Sequence, residues 1–298
     1  MKRFAFESIL LFMLILIVIL SLEYKYASYK TPVDLIFESI EDSDASVNAI
    51  VVGNSHARSL GSFRRSDFNA LNVSKGGQDL FHALLIIKYA IETMDRLQYV
   101  VLGLDADILG YTLVNTNQSF IDRQYYPYSD TLQGYDLVNK LMAKSNFFRS
   151  NRDFGFLLGE HNNGGNNNFI PVKKESSQQG CVNRATEHTH IKFSPPTIGD
   201  NEEILAKILS LCNANGIKVL AVNFPKKTCY VASSNQHNIS AGINISNKLC
   251  GKFVNTKYLN MLGDTLFDDS DFLDYDHLNE TGAIKMQNEI VTQITAIP

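Results

Sequence analysis

The feature that most constrains this chain is an uninterrupted run of twelve apolar residues, Ile9–Leu20, close to its start. The run widens to a window of 19 residues, Phe4–Leu22, if Glu7, Ser8 and Ser21 are tolerated. As a helix that window reaches ~28 Å, close to the hydrocarbon thickness of a bilayer. A helix that is apolar all round has no polar face for water, so a membrane suits it better than the surface of a soluble domain. Lys2, Arg3 and the α-amino group precede the run. The positive-inside rule therefore keeps the short N-terminus in the cytoplasm and exports everything that follows. After the run, Lys25 stands three positions before Ser28, where a cleavage site wants a small residue, and there is no lipobox cysteine. The expectation is an uncleaved signal anchor and short linker over residues 1–30. Residues 31–298 then form the extracytoplasmic domain, periplasmic in a Gram-negative cell.

Such a domain is long enough to bury a core, and 45% hydrophobic with 19% charged residues excludes a mainly disordered chain. With 27 basic against 31 acidic residues, the net charge is −4. No basic tract occurs, which argues against nucleic acid as a partner. Residues 1–30 carry Lys2, Arg3, Lys25 and Lys30 against Glu7 and Glu23, so the exported part is more acidic than the whole. The four cysteines, Cys181, Cys212, Cys229 and Cys250, form no C-x-x-C pair, and export makes disulfides plausible. Cys229 with Cys250 would close a polar loop and leave Cys181 with Cys212, although four cysteines permit other pairings.

Val47–Val52 and Tyr99–Leu104 read as buried parallel strands. Between them Asp79–Met94 has helical spacing, with Asp79 as N-cap. The rhythm returns as a helix over Asp200–Asn215, a stop at Gly216, a strand over Ile217–Phe224 and a last amphipathic helix over Thr281–Ile297. This alternation predicts an α/β fold, a parallel sheet with helices on both faces. An insertion from about Tyr111 to Pro196 interrupts it, and its tract at 161–168 (HNNGGNNN) reads as a surface loop that shapes a cleft.

Two short segments carry the candidate chemistry. Gly53-Asn54-Ser55-His56 stands at the C-terminal end of the first strand, where open parallel sheets bind ligands. A glycine there permits a sharp turn that exposes a serine hydroxyl near backbone N–H groups. Asp274-Tyr275-Asp276-His277 stands just before the last helix, and an Asp and a His three apart can share one turn. The carboxylate then holds one imidazole nitrogen while the other faces a hydroxyl. Glu187-His188-Thr189-His190 lacks a third metal ligand and reads as solvated, irregular sequence. The acidic residues Asp268, Asp269, Asp271, Asp274 and Asp276 lack the glycine and glutamate of an EF-hand loop.

Taken together, these segments resemble the SGNH hydrolase superfamily, the GDSL-type esterases, over most of residues 45–298. The resemblance implies a three-layer, flavodoxin-like domain. It also implies Ser55 as nucleophile, His277 as base, Asp274 as its orienting carboxylate, and no cofactor or metal. The family's second block maps on Val73-Ser74-Lys75-Gly76-Gly77-Gln78 and makes Gly77, then Gly76, the partner of the Ser55 N–H in the oxyanion hole. Asn54, His56 and Asp105 are the remaining candidates for substrate contact. Where the family has an oxyanion-donating Asn in G-x-N-D, this chain has Gly103-Leu104-Asp105-Ala106, and an ionised Asp105 cannot donate. The layout of one span and an exported SGNH-like domain is similar to membrane-anchored proteins that O-acylate or deacylate envelope polysaccharides. It implies a serine esterase or O-acyltransferase, on an acetyl group above all, of an envelope glycan or acylated saccharide. The transferase version needs a multispan membrane partner to bring the acyl donor across. The alternative is an inactive SGNH-like module that binds glycan or scaffolds an envelope assembly.

Overall fold

The computed structural model describes residues 2–113, 119–129, 142–150, 177–189 and 195–298. The polar tract at 161–168 and His190 therefore lie outside the described residues. The chain divides into two compact units, residues 1–36 with 114–166 and residues 37–113 with 167–298.

The first unit begins with α1 (Lys2–Tyr26), of which Arg3–Tyr26 is long and apolar enough to cross a membrane. Its last turn is polar and bonded. The Glu23 carboxylate accepts from the Ser145 hydroxyl and, at 2.8 Å, from the Asn146 N–H at the start of α5 (Asn146–Ser150), while buried Tyr26 packs edge-on against Phe147. Asp34 accepts from the Tyr128 hydroxyl at 2.9 Å, at the end of the 3-10 helix Ser119–Tyr128, and pairs with Arg149 at 2.8 Å. Asp34 belongs to α2 (Pro32–Glu41), a helix that the sequence reading did not anticipate.

The second unit is built on a six-stranded sheet of order β2-β3-β1-β4-β5-β6, all parallel except β2. The strands are β1 (Ala49–Val52), β2 (Phe63–Arg65), β3 (Phe68–Asn72), β4 (Tyr99–Gly103), β5 (Lys218–Asn223) and β6 (Thr256–Asn260). The short β2 pairs antiparallel with β3 at the sheet edge, so the expected parallel sheet carries one antiparallel margin. Strand alternation divides the core: Ala49, Val51, Val101, Leu220 and Val222 pack with Met286, Ile290 and Ile294 of α10 (Glu280–Thr295). Residues Ile50 and Val52 point to the opposite face, where α4 (Leu80–Thr93) lies against β1 and α7 (Pro195–Ala214) against α4 and β5. Both faces are thus covered, as a sheet whose β1 is buried at every position requires.

The helices that the periodicity predicted are present, with α4 capped by the Asp79 side chain on the His82 N–H. Within the segment expected to be irregular, however, Gln178–Thr189 forms a helix, α6. It is joined to α8 (Thr228–Ser233) by a Cys181–Cys229 disulfide. This corrects the expected pairing. Cys212, on α7, and Cys250, at the end of α9 (Gln236–Cys250), are buried free thiols pushed up to about 12 by burial. Loop closure along the sequence was the wrong cue, because the packing of α6 on α8 decides which sulfurs meet.

Candidate functional site

In this strand order the chain leaves β1 to one side for β3 and returns on the other side as β4, so the sheet has a switch point at β1. The carboxyl end of a strand at such a point opens a crevice. Gly53 begins the turn there with φ +152°, and a Cβ at this position would lie 2.9 Å from the Gly103 Cα. Only glycine meets both conditions. Asn54 then caps α3 (Ser55–Arg58), its side chain accepting from the His56 N–H at 3.0 Å. Ser55 is thereby the first residue of a helical turn, half-buried at the strand end.

The opposite wall is the loop that precedes α10. A bridge between Phe272 and Leu278, closed by Leu273 N–H to His277 O at 2.8 Å, folds this loop back on itself. The Asp274 carboxylate sits inside it and accepts from the backbone N–H groups of Asp276 at 3.0 Å and His277 at 2.8 Å. It also lies 2.8 Å from His277 Nδ1, and His277 Nε2 lies 2.9 Å from Ser55 Oγ. Burial opposes ionisation of Asp274, but the hydrogen bond and charge of His277 outweigh it and hold the carboxyl below its ordinary value. An ionised carboxylate only accepts, so Nδ1 carries the ring proton and Nε2 presents its lone pair to the serine hydroxyl. Ser55, His277 and Asp274 are thus brought into one hydrogen-bonded line across 222 residues of sequence.

The loop 73–78 flanks this line. Lys75 N–H donates to Gly53 O at 3.0 Å, and the Gln78 side chain accepts from Gly53 N–H at 2.8 Å. Gly76 is beside the serine: a Cβ on it would stand 4.0 Å from the Ser55 Cβ. Gly77 has φ +73°, and its carbonyl accepts from the Tyr111 hydroxyl at 3.1 Å.

The other three candidates for substrate contact turn inward. Asp105 is fully buried, and its oxygens accept from Lys226 Nζ at 2.9 Å, Phe224 N–H at 3.1 Å, Asn54 Nδ2 at 3.0 Å and His56 Nδ1 at 2.7 Å. Burial works against its charge, but Lys226 and then His56 overcome this and hold it far below the ordinary carboxylate range. With every bonding direction used inside the protein, it has no group to offer a ligand. His56 is 3% exposed and bridges Asp105 to Asp276, whose Oδ2 is 3.1 Å from Nε2. Burial disfavours its cation, yet the Asp105 charge leads the opposing effects and raises the imidazole to about 9. Both ring nitrogens therefore carry protons at neutral pH. Asn54, a helix cap on one side and a donor to Asp105 on the other, is likewise engaged.

Several residues of this buried assembly escaped the sequence reading. Lys226 follows β5 and is buried beside Asp105, which raises its ammonium further against the effect of burial. Asp276 is almost completely buried, and Arg184 Nε reaches it at 3.2 Å and His188 Nδ1 at 3.4 Å from α6. His188 is therefore part of the assembly instead of being solvated. Burial, with Arg184 next, lowers it to about 3, so it is a neutral imidazole beside the Tyr230 hydroxyl. The one available signal was the second aspartate of D-Y-D-H, two residues from Asp274.

His56, Asp276 and His277 approach one another closely enough to surround a metal ion. Their donor atoms are already used, because both nitrogens of His56 carry protons bonded to carboxylates and His277 Nδ1 serves Asp274. Asp276 is likewise bonded to His56 and Arg184, so within this structure the three groups serve protein partners.

No protein-family model and no curated protein matches the chain. Among solved structures, it is similar to a chain provisionally described as a platelet activating factor from Streptococcus pneumoniae, with 9% identity and a TM-score of 0.46 over 96% of this chain and 98% of that one. It is also similar to a chain provisionally described as an acylhydrolase from Bacteroides fragilis, with 10% identity and a TM-score of 0.40 over 91% and 93%.

Proposed function

We propose that this chain is a membrane-anchored, extracytoplasmic serine esterase or O-acyltransferase of the SGNH type that acts on an acyl group, above all acetyl, of a cell-envelope glycan. The observation that carries this reading is the line Ser55 Oγ, His277 Nε2, His277 Nδ1 and Asp274 at 2.9 and 2.8 Å, set at the carboxyl end of β1. In the proposed reaction Ser55 Oγ attacks the ester carbonyl and His277 Nε2 takes its proton, while Asp274 stabilises the imidazolium that forms. The tetrahedral oxyanion is met by the Ser55 N–H and a backbone N–H of Gly77 or Gly76. Collapse expels the alcohol, which recovers the proton from His277. Water or a sugar hydroxyl then takes the acyl group from Ser55 through the same base. The transferase version draws its acyl donor from a multispan membrane partner. Retention of α1 as the anchor is supported by Glu23 and Tyr26, which are bonded and packed within the first unit.

The second reading, an inactive glycan-binding or scaffold module, is favoured by one observation: Asp105 stands where a third oxyanion donor is expected and is wholly occupied. A fluorophosphonate probe on the detergent-solubilised chain separates the two readings. Covalent labelling that disappears in Ser55→Ala and falls at least ~10³-fold in His277→Ala is the expected result. An unlabelled, well-folded wild-type chain overturns the enzyme reading. Release of acetate from an acetylated glycan, with and without a competing sugar acceptor, then distinguishes hydrolysis from transfer.

A further inference from the structure

The nucleophile and base proposed above each have a neighbour in the sequence that is paired with the other's neighbour. Ser55 faces His277 at 2.9 Å, and His56 faces Asp276 at 3.1 Å. Two contacts one residue apart, across 220 or more residues of intervening chain, tie the turn after β1 to the loop before α10. We propose that the buried His56–Asp276 ion pair is a positioning device that holds Ser55 and His277 in reacting register, and this inference rests on the reading of those two residues as nucleophile and base.

Three observations support it. The pair is solvent-free, with side chains 4% and 1% exposed, so solvent does not screen the attraction. Each member is held from behind by a charge of opposite sign. Asp105 fixes His56 Nδ1 at 2.7 Å and is itself fixed by Lys226, while Arg184 holds Asp276 from α6. Charge therefore alternates from Lys226 through Asp105, His56 and Asp276 to Arg184, with each neighbour in the line an ion pair. Finally, the His56 and His277 rings are 5.0 Å apart, and Asp276 Oδ1 stands 3.4 Å from His277 Nδ1. Asp276 therefore touches both histidines, and a shift of the pair moves the base.

Among the described residues, the groups that face His56 are Asp105 and Asp107 after β4, Lys226 after β5, His188 on α6, and Asp276 and His277 before α10. Asp105 and Asp276 accept its two ring protons, and of the others Lys226 opposes the cation by its charge. Cutting the pair from either end frees the same loop, so the effects of cutting both do not multiply. A misplacement of about 1 Å between reacting groups is worth roughly 10²-fold in rate.

The test is a double-mutant cycle of His56→Gln and Asp276→Asn in the detergent-solubilised full chain, read as the rate constant of fluorophosphonate labelling. The expected result is a loss of roughly 10- to 100-fold in each single variant and no greater loss in the double variant. Histidine-selective ¹⁵N spectra of the wild type provide a readout that needs no variant to fold. They are expected to show one imidazole with both nitrogens protonated at pH 7.5, titrating near 9. Unchanged labelling in the variants, losses that multiply in the double variant, or a neutral His56 ring at pH 7.5 would each overturn the inference while leaving the nucleophile in place. A wild-type chain that takes no label overturns the nucleophile reading and this inference with it.

Discussion

Asp274 accepts two backbone N–H groups besides the His277 ring, so its charge serves the loop and the imidazole together. Replacement by asparagine keeps the shape but offers an amide where Nδ1–H needs an acceptor, and it favours the wrong tautomer. Asp274→Asn is therefore expected to lower the labelling rate by roughly 10³- to 10⁴-fold. Its thermal midpoint should fall by only a few degrees, because the loop keeps the amide oxygen as acceptor. Gly53 makes the opposite kind of demand, since a methyl there would meet the Gly103 Cα at 2.9 Å in a backbone conformation that L-residues avoid. Gly53→Ala should cost about 2 kcal/mol or more of stability, measured by thermal denaturation against the wild type. At this scale Ser55, Asp274 and His277 could be found in the sequence, because two short motifs at strand and helix ends limit which side chains can meet. Lys226 and Arg184 could not. Their partners lie 121 and 92 residues away, and nothing in the spacing of a lone lysine or arginine records a tertiary contact.

Elements with a strong period were legible for the same physical reason that they are stable: α4 and the central strands bury one face or both, and burial writes itself into the order of apolar residues. Helix α6 has no such record. Its buried face consists of Cys181, Ala185 and Thr189, and its apolar contacts are Tyr230 and Tyr275. The Tyr275 hydroxyl donates to Ser177 O at 2.9 Å, which ties the start of this helix to the Asp274–His277 loop. The disulfide to Cys229 supplies what the short apolar face does not. Its loss in Cys181→Ser with Cys229→Ser should cost about 2–4 kcal/mol, since the bond closes a separation of 48 residues. Because Arg184 and His188 ride on α6, the same variant, or reductant on the wild type, should also slow labelling of Ser55. Intact-mass analysis should find one disulfide and two thiols that react with an alkylating agent only in denaturant. Alkylation of all four cysteines in the native, unreduced chain would contradict this account.

For the whole molecule, the buried charges set a window of pH. Asp105, Asp276, Asp274 and Asp79 are held below the ordinary carboxylate value of 3.8, in each case by partners that outweigh burial. Their contributions to stability are present above that value and are lost as pH falls through the lowered ones. His56 has the reverse sign. Raised from 6.5 to about 9, it contributes fully below 6.5 and progressively less as pH climbs toward 9. His188, lowered from 6.5 to about 3, adds stability that grows as pH rises from 3 to 6.5, so thermal midpoints should be highest near pH 6.5 and decline on both sides, and a midpoint that stays level from pH 6.5 to 9 would contradict the buried imidazolium. Whether the apolar first helix is discarded or kept bears on the packing of the first unit. A cleavable signal is built to leave without loss, yet the end of α1 is a working part of the first unit. Glu23 satisfies two donors at the start of α5, and Tyr26 is 5% exposed against Phe147. Cutting after Glu23 would leave those donors unpaired, at about 1–3 kcal/mol for the polar groups alone, and cutting after Tyr26 would remove the aromatic contact as well. The intact mass of the chain extracted from membranes should include residues up to the N-terminus, and alkaline carbonate should fail to release it. A soluble product whose first residue lies beyond position 23 would show that the segment is a signal and that the Glu23 contacts do not hold it.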